Sequence, residues 1–152
     1  MIRSSLLTIL AIVLASSLGC GGYTLKTVNV SGVVRMEGKP VPFVEVAFES
    51  ETHPNAFGIT DENGYYELGT RRYGLGAVPG TYMLKIHPVP ANANNGKGTT
   101  TEIPEVYSRS GYKSVTIDPT QPTSVIDVDI SSNPPKSKPK SVDSAETQMG
   151  AE

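Results

Sequence analysis

The sequence predicts an all-β domain, a seven-strand antiparallel β-sandwich spanning residues 28–130. Short runs of alternating apolar and polar residues recur along this part of the chain, as expected for half-buried strands. Turn signals rich in glycine, proline and asparagine separate these runs. No segment between them has the period of an amphipathic helix, and about seven short runs at such spacing are typical of a sandwich.

The first two strands are predicted over residues 28–36 and 41–49, with a glycine-proline turn at 37–40 between them. Alternate side chains of a strand point to opposite faces, so every second apolar residue should face the core. The positions predicted to face inward are Val28, Val30, Gly32 and Val34, then Val44, Val46 and Phe48. The alternating Glu45, Ala47 and Glu49 should face solvent, as in an antiparallel sheet with one wet face.

A β-hairpin is predicted over residues 56–68, with its turn at Asp61-Glu62-Asn63-Gly64. Asn-Gly is a strong hairpin signal, because both residues tolerate the positive φ that tight turns require. We interpret Asp61 as a turn residue whose carboxylate accepts backbone N–H groups. Together with Gly64 it should set the register that sends Tyr66 and Leu68 into the core.

Three further strands are predicted, over residues 81–87, 114–117 and 124–130. In the first of these, Tyr82, Leu84 and Ile86 should face inward. Residues 69–79 should form a glycine-rich connection, and 88–101 a loop long enough to be functional or mobile. Residues 103–107 should return the chain to the sandwich edge.

The N-terminal 19 residues have the layout of an export signal, with Arg3, an apolar run over residues 6–15 and small residues up to Cys20. The apolar run is shorter than the roughly 20 residues that span a bilayer. The end of the segment, Ser17-Leu18-Gly19-Cys20, resembles the lipobox of bacterial lipoproteins, although an aliphatic residue is usual at the position of Ser17. The resemblance implies that Cys20 becomes a lipidated N-terminus. An ordinary secretory signal with an incidental cysteine is the alternative.

The chain is therefore divided into a lipoprotein signal peptide (1–19), an anchor and spacer (20–27), the sandwich (28–130) and a disordered tail (131–152). The tail is polar and proline-rich, so it cannot bury enough apolar surface to fold. In that signal family an Asp after the cysteine directs retention in the inner membrane. Gly21 stands there, which favours an outer-membrane location in the cell envelope.

The composition argues against nucleic-acid binding and excludes an intrachain disulfide. Without residues 1–19 the chain has 12 basic and 15 acidic residues, which gives no electrostatic footprint for nucleic acid. Cys20 is the only cysteine, so an intrachain disulfide is impossible.

No metal site, cofactor or catalytic set is predicted. His53 and His87 lack the spacing of paired zinc ligands. The acidic turn at Asp61 fails as a calcium loop, because the twelfth position from Asp61 is Arg72 rather than an acid. The glycine-rich residues 74–80 lack the Gly-Lys-Ser/Thr ending of a phosphate-binding loop, and no nucleophile elbow occurs. A hydrolase is the weakest of the functional hypotheses.

The most distinctive polar cluster is Arg71-Arg72-Tyr73. Arginine beside tyrosine could bind a carboxylate or stack on a sugar. A solvated loop that packs its aliphatic stems over the sheet end is the alternative. With the long loop at 88–101, the cluster could form a glycan- or peptidoglycan-binding site if both lie at one end of the sandwich.

Several short motifs occur in an order that resembles the carboxypeptidase regulatory-like (transthyretin-like or prealbumin-like) β-sandwich domain, with an immunoglobulin-like layout. They are Val30-Ser-Gly-Val-Val34, Gly38-Lys-Pro40, Val44-Glu-Val-Ala-Phe48, Thr60-Asp-Glu-Asn-Gly-Tyr-Tyr-Glu-Leu68, Ala77-Val-Pro-Gly-Thr-Tyr82 and Ile103-Pro-Glu-Val-Tyr107. The resemblance implies a seven-strand domain of bacterial envelope lipoproteins that has no catalytic residues of its own. An adhesin-type sandwich with a Lys–Asn isopeptide bond is a further alternative.

From these observations we predict a non-enzymatic, lipid-anchored cell-envelope protein with a structural or interaction domain. Its expected partners are the membrane, through the lipid at Cys20, and an envelope protein or glycan. Fold alone does not establish function, so the glycan-binding module is retained as a competing hypothesis.

Overall fold

A computed structural model of the protein describes residues 25–93 and 96–134. It confirms an all-β fold in which two sheets enclose one apolar core. The predicted signal peptide, Cys20 and residues 135–152 of the predicted tail lie outside the described residues.

The first sheet is built around β1 (Asn29–Met36). One edge of β1 pairs antiparallel with β2 (Lys39–Pro40) and β5 (Tyr65–Glu67). Its other edge pairs with the last two strands of the chain, β10 (Thr123–Val125) and β11 (Val128–Ile130), and both pairings are parallel. The prediction of a purely antiparallel sandwich is therefore wrong for this sheet.

The second sheet is antiparallel and has six strands in the order β7-β6-β4-β3-β8-β9. These strands are β3 (Val44–Glu49), β4 (Ala56–Ile59), β6 (Gly69–Thr70), β7 (Gly74–Leu75), β8 (Gly80–Pro88) and β9 (Lys113–Ile117). The central pair, β3 and β8, is in register over six residues from Val44–Pro88 to Glu49–Met83. The described residues also contain one short helix, α1 (Val106–Arg109).

The predicted alternation of apolar residues is confirmed in the core. The inward positions are all buried: Val28, Val30, Gly32, Val34, Val44, Val46, Phe48, Tyr66, Leu68, Tyr82, Leu84 and Ile86. Ala47 is the exception on the outer face, since it is only 1 % exposed between its strand neighbours Phe57 and Lys85. The longer side chains on both sides cover it, so the outer face is not uniformly solvated.

Residues 56–68 do not form the predicted hairpin. Strand β4 pairs with β3 and β6, whereas β5 pairs with β1 in the other sheet. The turn at Asp61 therefore carries the chain from one sheet to the other. The two strands stack closely across the core, because a Cβ added at Gly58 would lie 2.2 Å from the Glu67 carbonyl oxygen.

The predicted strand at 124–130 is interrupted at Ile126 and Asp127, between β10 and β11. The Ile126 carbonyl oxygen turns inward and accepts a 2.7 Å hydrogen bond from the Tyr66 hydroxyl. A Cβ added at Gly32 would lie 2.0 Å from that same oxygen. We call this contact between Gly32, Tyr66 and Ile126 the carbonyl junction. Burial, and next the charge of Asp127, raises the pKa of the Tyr66 phenol, which keeps it a neutral donor.

The side chain of Asp127 restores hydrogen bonding to β1 where the carbonyl junction interrupts the backbone ladder. Its Oδ1 accepts from the Val33 N–H at 3.0 Å and its Oδ2 from Arg35 Nη1 at 3.0 Å. These hydrogen bonds, that of Arg35 first, hold the pKa of the Asp127 carboxyl below its usual value of 3.8. A side chain thus supplies the acceptor that the backbone ladder lacks at this point.

Two other segments differ from prediction. The connection at 69–79 contains the small hairpin of β6 and β7, followed by an isolated pairing of Ala77 with Val28. Residues 103–107, predicted to return the chain to the sandwich edge, lead into helix α1, which precedes the edge strand β9. The helix buries Tyr107, whose hydroxyl lies 2.9 Å from the Ser131 backbone nitrogen and accepts its N–H.

Replacing Gly32 with Ala should destabilise the protein by about 3 kcal/mol, because the new methyl group meets a backbone oxygen that cannot move freely. Urea unfolding of the two proteins measures this change. Gly69→Ala is the matched control, since its added Cβ would have its nearest neighbour at 3.6 Å. Equal stability of the Gly32 and Gly69 variants would contradict the close approach at the carbonyl junction.

Asp127→Asn should be less stable than wild type near neutral pH by less than about 1 kcal/mol, since the pair with Arg35 is partly exposed. A carboxyl with a lowered folded-state pKa stabilises the fold above its unfolded pKa and loses that contribution as the pH falls through the folded value. The gap between the two proteins should therefore close below about pH 4. Denaturant unfolding across pH tests this, with exposed Glu51→Gln as control. A gap that widens in acid would contradict it.

Candidate functional site

The strand directions define a proximal and a distal end of the sandwich. Strands β1, β10 and β11 all run from the proximal to the distal end. The proximal end consists of residues 25–28, 50–55, 71–73 and 118–122. The distal end consists of residues 37–43, 60–64, 89–105 (of which 94 and 95 are not described) and 131–134. The pairings Val28–Ala77, Asn29–Thr123 and Gly80–Ile117 hold the proximal end together. The described chain therefore begins at one end and finishes at the other.

The predicted cluster Arg71-Arg72-Tyr73 forms the turn between β6 and β7 at the proximal end. The Tyr73 N–H donates to the Thr70 carbonyl at 2.9 Å, and Arg72 takes a φ of 74°. The buried Thr70 hydroxyl donates to the Gly76 carbonyl at 2.7 Å, which closes the base of the hairpin. Both arginines are exposed, and within the described part of the chain neither has an acidic partner at ion-pair distance.

The loop predicted at 88–101 lies at the distal end. Val89 is buried, its N–H donates to the Phe43 carbonyl at 3.3 Å, and its own carbonyl accepts from Thr99 at 2.9 Å. Lys97 Nζ lies 3.2 Å from Glu62 Oε1 and 5.8 Å from the centroid of the Phe43 ring. The structure thus places this loop and the Arg71-Arg72-Tyr73 turn at opposite ends, and it does not bring them together into one glycan site.

The turn residues Asp61 and Gly64 lie at the distal end beside β1. Asp61 Oδ1 accepts the backbone N–H groups of Asn63 and Tyr65, at 2.8 and 2.9 Å. Gly64 has a φ of 75°, and a Cβ there would lie 2.7 Å from the Val34 carbonyl oxygen. The carboxylate is therefore engaged within the turn, where it holds the backbone that crosses between the sheets.

The two histidines lie in separate places. His53 is half-buried at the proximal end, where its ring centroid lies 5.9 Å from that of Tyr82 and its Nδ1 lies 2.8 Å from the Thr52 hydroxyl. On the outer face of the second sheet, His87 Nε2 lies 4.0 Å from Glu49, which pairs with Lys85 at 2.6 Å. Across residues 25–93 and 96–134, no three His, Cys, Asp or Glu side chains are grouped so as to hold a metal ion.

Sequence reasoning missed a groove of about 240 Å³ on the outer face of the first sheet. Within it, the Tyr65 hydroxyl donates to Glu67 Oε1 at 3.0 Å, and Leu75 is 70 % exposed. Its lining includes Asn29, Ser31, Tyr65, Glu67, Leu75 and Thr123. These residues come from separated segments that meet only because β5 and β10 pair with opposite edges of β1, so no local motif could indicate the groove.

Where the chain leaves β11 at the distal end, it is held by hydrogen bonds to the side chain of Glu37. Its Oε1 accepts from the Ser131 hydroxyl at 2.9 Å and from the Ser132 N–H at 3.1 Å. These bonds, that of Ser131 first, hold the pKa of the Glu37 carboxyl below its usual value. The first residues of the predicted tail are thus tied to the turn after β1.

Comparison of the chain with protein-family models, with curated proteins and with solved structures finds no match. Among the helices of the described residues, none combines the length and apolar character needed to cross a membrane.

Replacing Asp61 with Ala should lower the free energy of unfolding by about 1 kcal/mol, because two backbone donors lose their charged acceptor. Asp61→Asn keeps an oxygen at the same position, so it should lose less. Urea denaturation of both variants beside wild type checks the order. If Asn and Ala cost the same, the hydrogen bonds to Oδ1 do not stabilise the turn.

Proposed function

We propose that this protein is a non-enzymatic, lipid-anchored component of the bacterial cell envelope, whose sandwich domain is held at the membrane surface. The observation that carries the proposal is the Gly19-Cys20 pair, which ends an apolar export segment five residues before Leu25, the first described residue. A lipidated cysteine with several acyl chains would anchor the chain stably, whereas one acyl chain binds a bilayer only marginally.

The topology supports an arrangement in which the proximal end faces the bilayer. Five residues from Cys20 to Leu25 reach at most about 17 Å when fully extended. Strand β1 then runs for eight residues toward the distal end, a rise of about 26 Å. The anchor would therefore hold the proximal end close to the membrane and present the distal end to the periplasm or exterior.

The domain itself is proposed to be of the carboxypeptidase regulatory-like type. Support comes from the order of its short motifs along the chain and from the two-sheet, all-β architecture that contains them. In such a domain the sandwich serves as a scaffold or interaction module. An envelope protein or glycan would then meet the surfaces that lie away from the anchor.

The anchor is tested by metabolic labelling with palmitate in a bacterial host that expresses the full chain. Wild type should incorporate label and fractionate with membranes, and Cys20→Ser should incorporate none, because the thiol is the only lipidation site of this type. Ser17→Leu is the matched control, since it restores the usual aliphatic residue of the lipobox and should label at least as well as wild type. An unlabelled wild-type protein, or equal label in Cys20→Ser, would disprove the anchor.

A further inference from the structure

We propose that the proximal end is a membrane-docking surface, on which Arg71, Arg72 and Lys26 contact anionic phospholipid headgroups of the bilayer that holds Cys20. This inference rests on the proposed anchor and deepens it, because it specifies how the domain is oriented once tethered. The lipid supplies attachment. The basic turn, residues 71–73, supplies a second signal that holds the proximal end of the sandwich against the bilayer.

The position of the basic turn follows from backbone contacts at the start of the described chain. Val28 and Ala77 exchange hydrogen bonds of 2.8 and 2.9 Å. A Cβ added at Gly76 would lie 2.2 Å from the Val28 carbonyl oxygen, so the β6–β7 hairpin packs directly against the segment that leads from the anchor. The turn at 71–73 thus lies on the same end of the sandwich as exposed Lys26.

The charges of the two ends differ in sign. Among the described residues, the proximal end has three basic and two acidic side chains: Lys26, Arg71 and Arg72 against Glu51 and Asp118. The distal end has two basic and five acidic side chains: Lys39 and Lys97 against Glu37, Asp61, Glu62, Glu102 and Glu105. A negatively charged surface attracts the first end and repels the second, so the field of the domain favours one orientation.

The basic turn is also held in place before it meets a ligand. The Thr70 hydroxyl and the Tyr73 N–H bond the hairpin internally, so only the arginine side chains need to be ordered on binding. Guanidinium groups bind phosphate oxygens through paired N–H donors. Tyr73 is half-buried beside them, and tyrosine is enriched at the headgroup level of membranes.

The tether brings this surface within range of the headgroups. Electrostatic attraction decays over about 8 Å at physiological ionic strength. A spacer that reaches at most about 17 Å keeps the proximal end near that layer, whereas the distal end lies one strand length of about 26 Å farther away. Contact by the proximal end therefore excludes simultaneous contact by the distal end.

The test uses the chain from Cys20 to Glu152, which contains every described residue, coupled through its single thiol to maleimide lipids in vesicles. Since the protein has no tryptophan, Tyr73→Trp and Asn63→Trp provide separate fluorescent reporters at the proximal and distal ends. Nitroxide-headgroup lipids should quench the Tyr73→Trp reporter more strongly than the Asn63→Trp reporter in vesicles containing phosphatidylglycerol. Phosphatidylcholine alone, or high salt, should reduce that difference to the smaller one that the tether alone produces.

Charge reversal then identifies the contacting residues. R71E/R72E should reduce the preferential quenching to the level seen in phosphatidylcholine alone. Without the tether, it should weaken co-sedimentation with phosphatidylglycerol vesicles by at least about twentyfold, since each lost cation accounts for about fivefold. K39E/K97E makes the same change of net charge at the distal end and should leave both measurements unchanged. Thermal unfolding of each variant verifies that it is folded.

The outcomes separate this inference from the proposed function. Chemical coupling at Cys20 replaces cellular lipidation, so failure of palmitate labelling would disprove the anchor without altering the vesicle result. Equal quenching of the two reporters, or equal effects of the two charge reversals, would overturn membrane docking even if Cys20 is lipidated. Preferential quenching that is as strong in phosphatidylcholine alone as with phosphatidylglycerol would equally overturn recognition of anionic headgroups.

Discussion

The fold depends on one close backbone approach, in which the Ile126 carbonyl oxygen lies against Gly32 and accepts the Tyr66 phenol. This contact joins the two edge neighbours of β1 across β1 itself. It also takes Ile126 out of the regular ladder, so the Asp127 carboxylate must satisfy the Val33 N–H instead. A backbone N–H without an acceptor in the ladder needs another partner, and the Asp127 carboxylate supplies one at the interruption.

The pairing of β1 with β10 and β11 also determines the direction in which the chain crosses the molecule. Since β10 and β11 run parallel to β1, the first and last strands of the sandwich point the same way. Residues 25–28 before β1 and residues 131–134 after β11 therefore lie at opposite ends. The proposed function and the proposed docking surface both depend on this direction, because it places the Arg71-Arg72-Tyr73 turn at the same end as residues 25–28 and the loop after β8 at the opposite end.

Much of the core could be predicted from the sequence, since the burial of Val44, Val46 and Phe48 follows from the two-residue period of a strand. Strand partners could not. The Asn63-Gly64 turn has the composition of a hairpin, yet β4 and β5 join different sheets. A turn signal specifies local backbone angles, whereas pairing is decided by which edge of a distant strand is available. The loops proposed as one glycan site were likewise separated by register, which no local pattern contains.

The sequence by itself determined the all-β class, the inward-facing residues of the main strands, and the export-signal pattern ending at Cys20. These are local properties, which depend on residue period, turn chemistry and the order of charged, apolar and small residues. Only the tertiary structure decided that β1 has parallel partners on one edge and that Gly32 must be glycine. It also decided that, among the described residues, one end of the sandwich is basic and the other acidic. Those features arise between residues far apart in the chain, where backbone packing rather than sequence neighbours sets the distance.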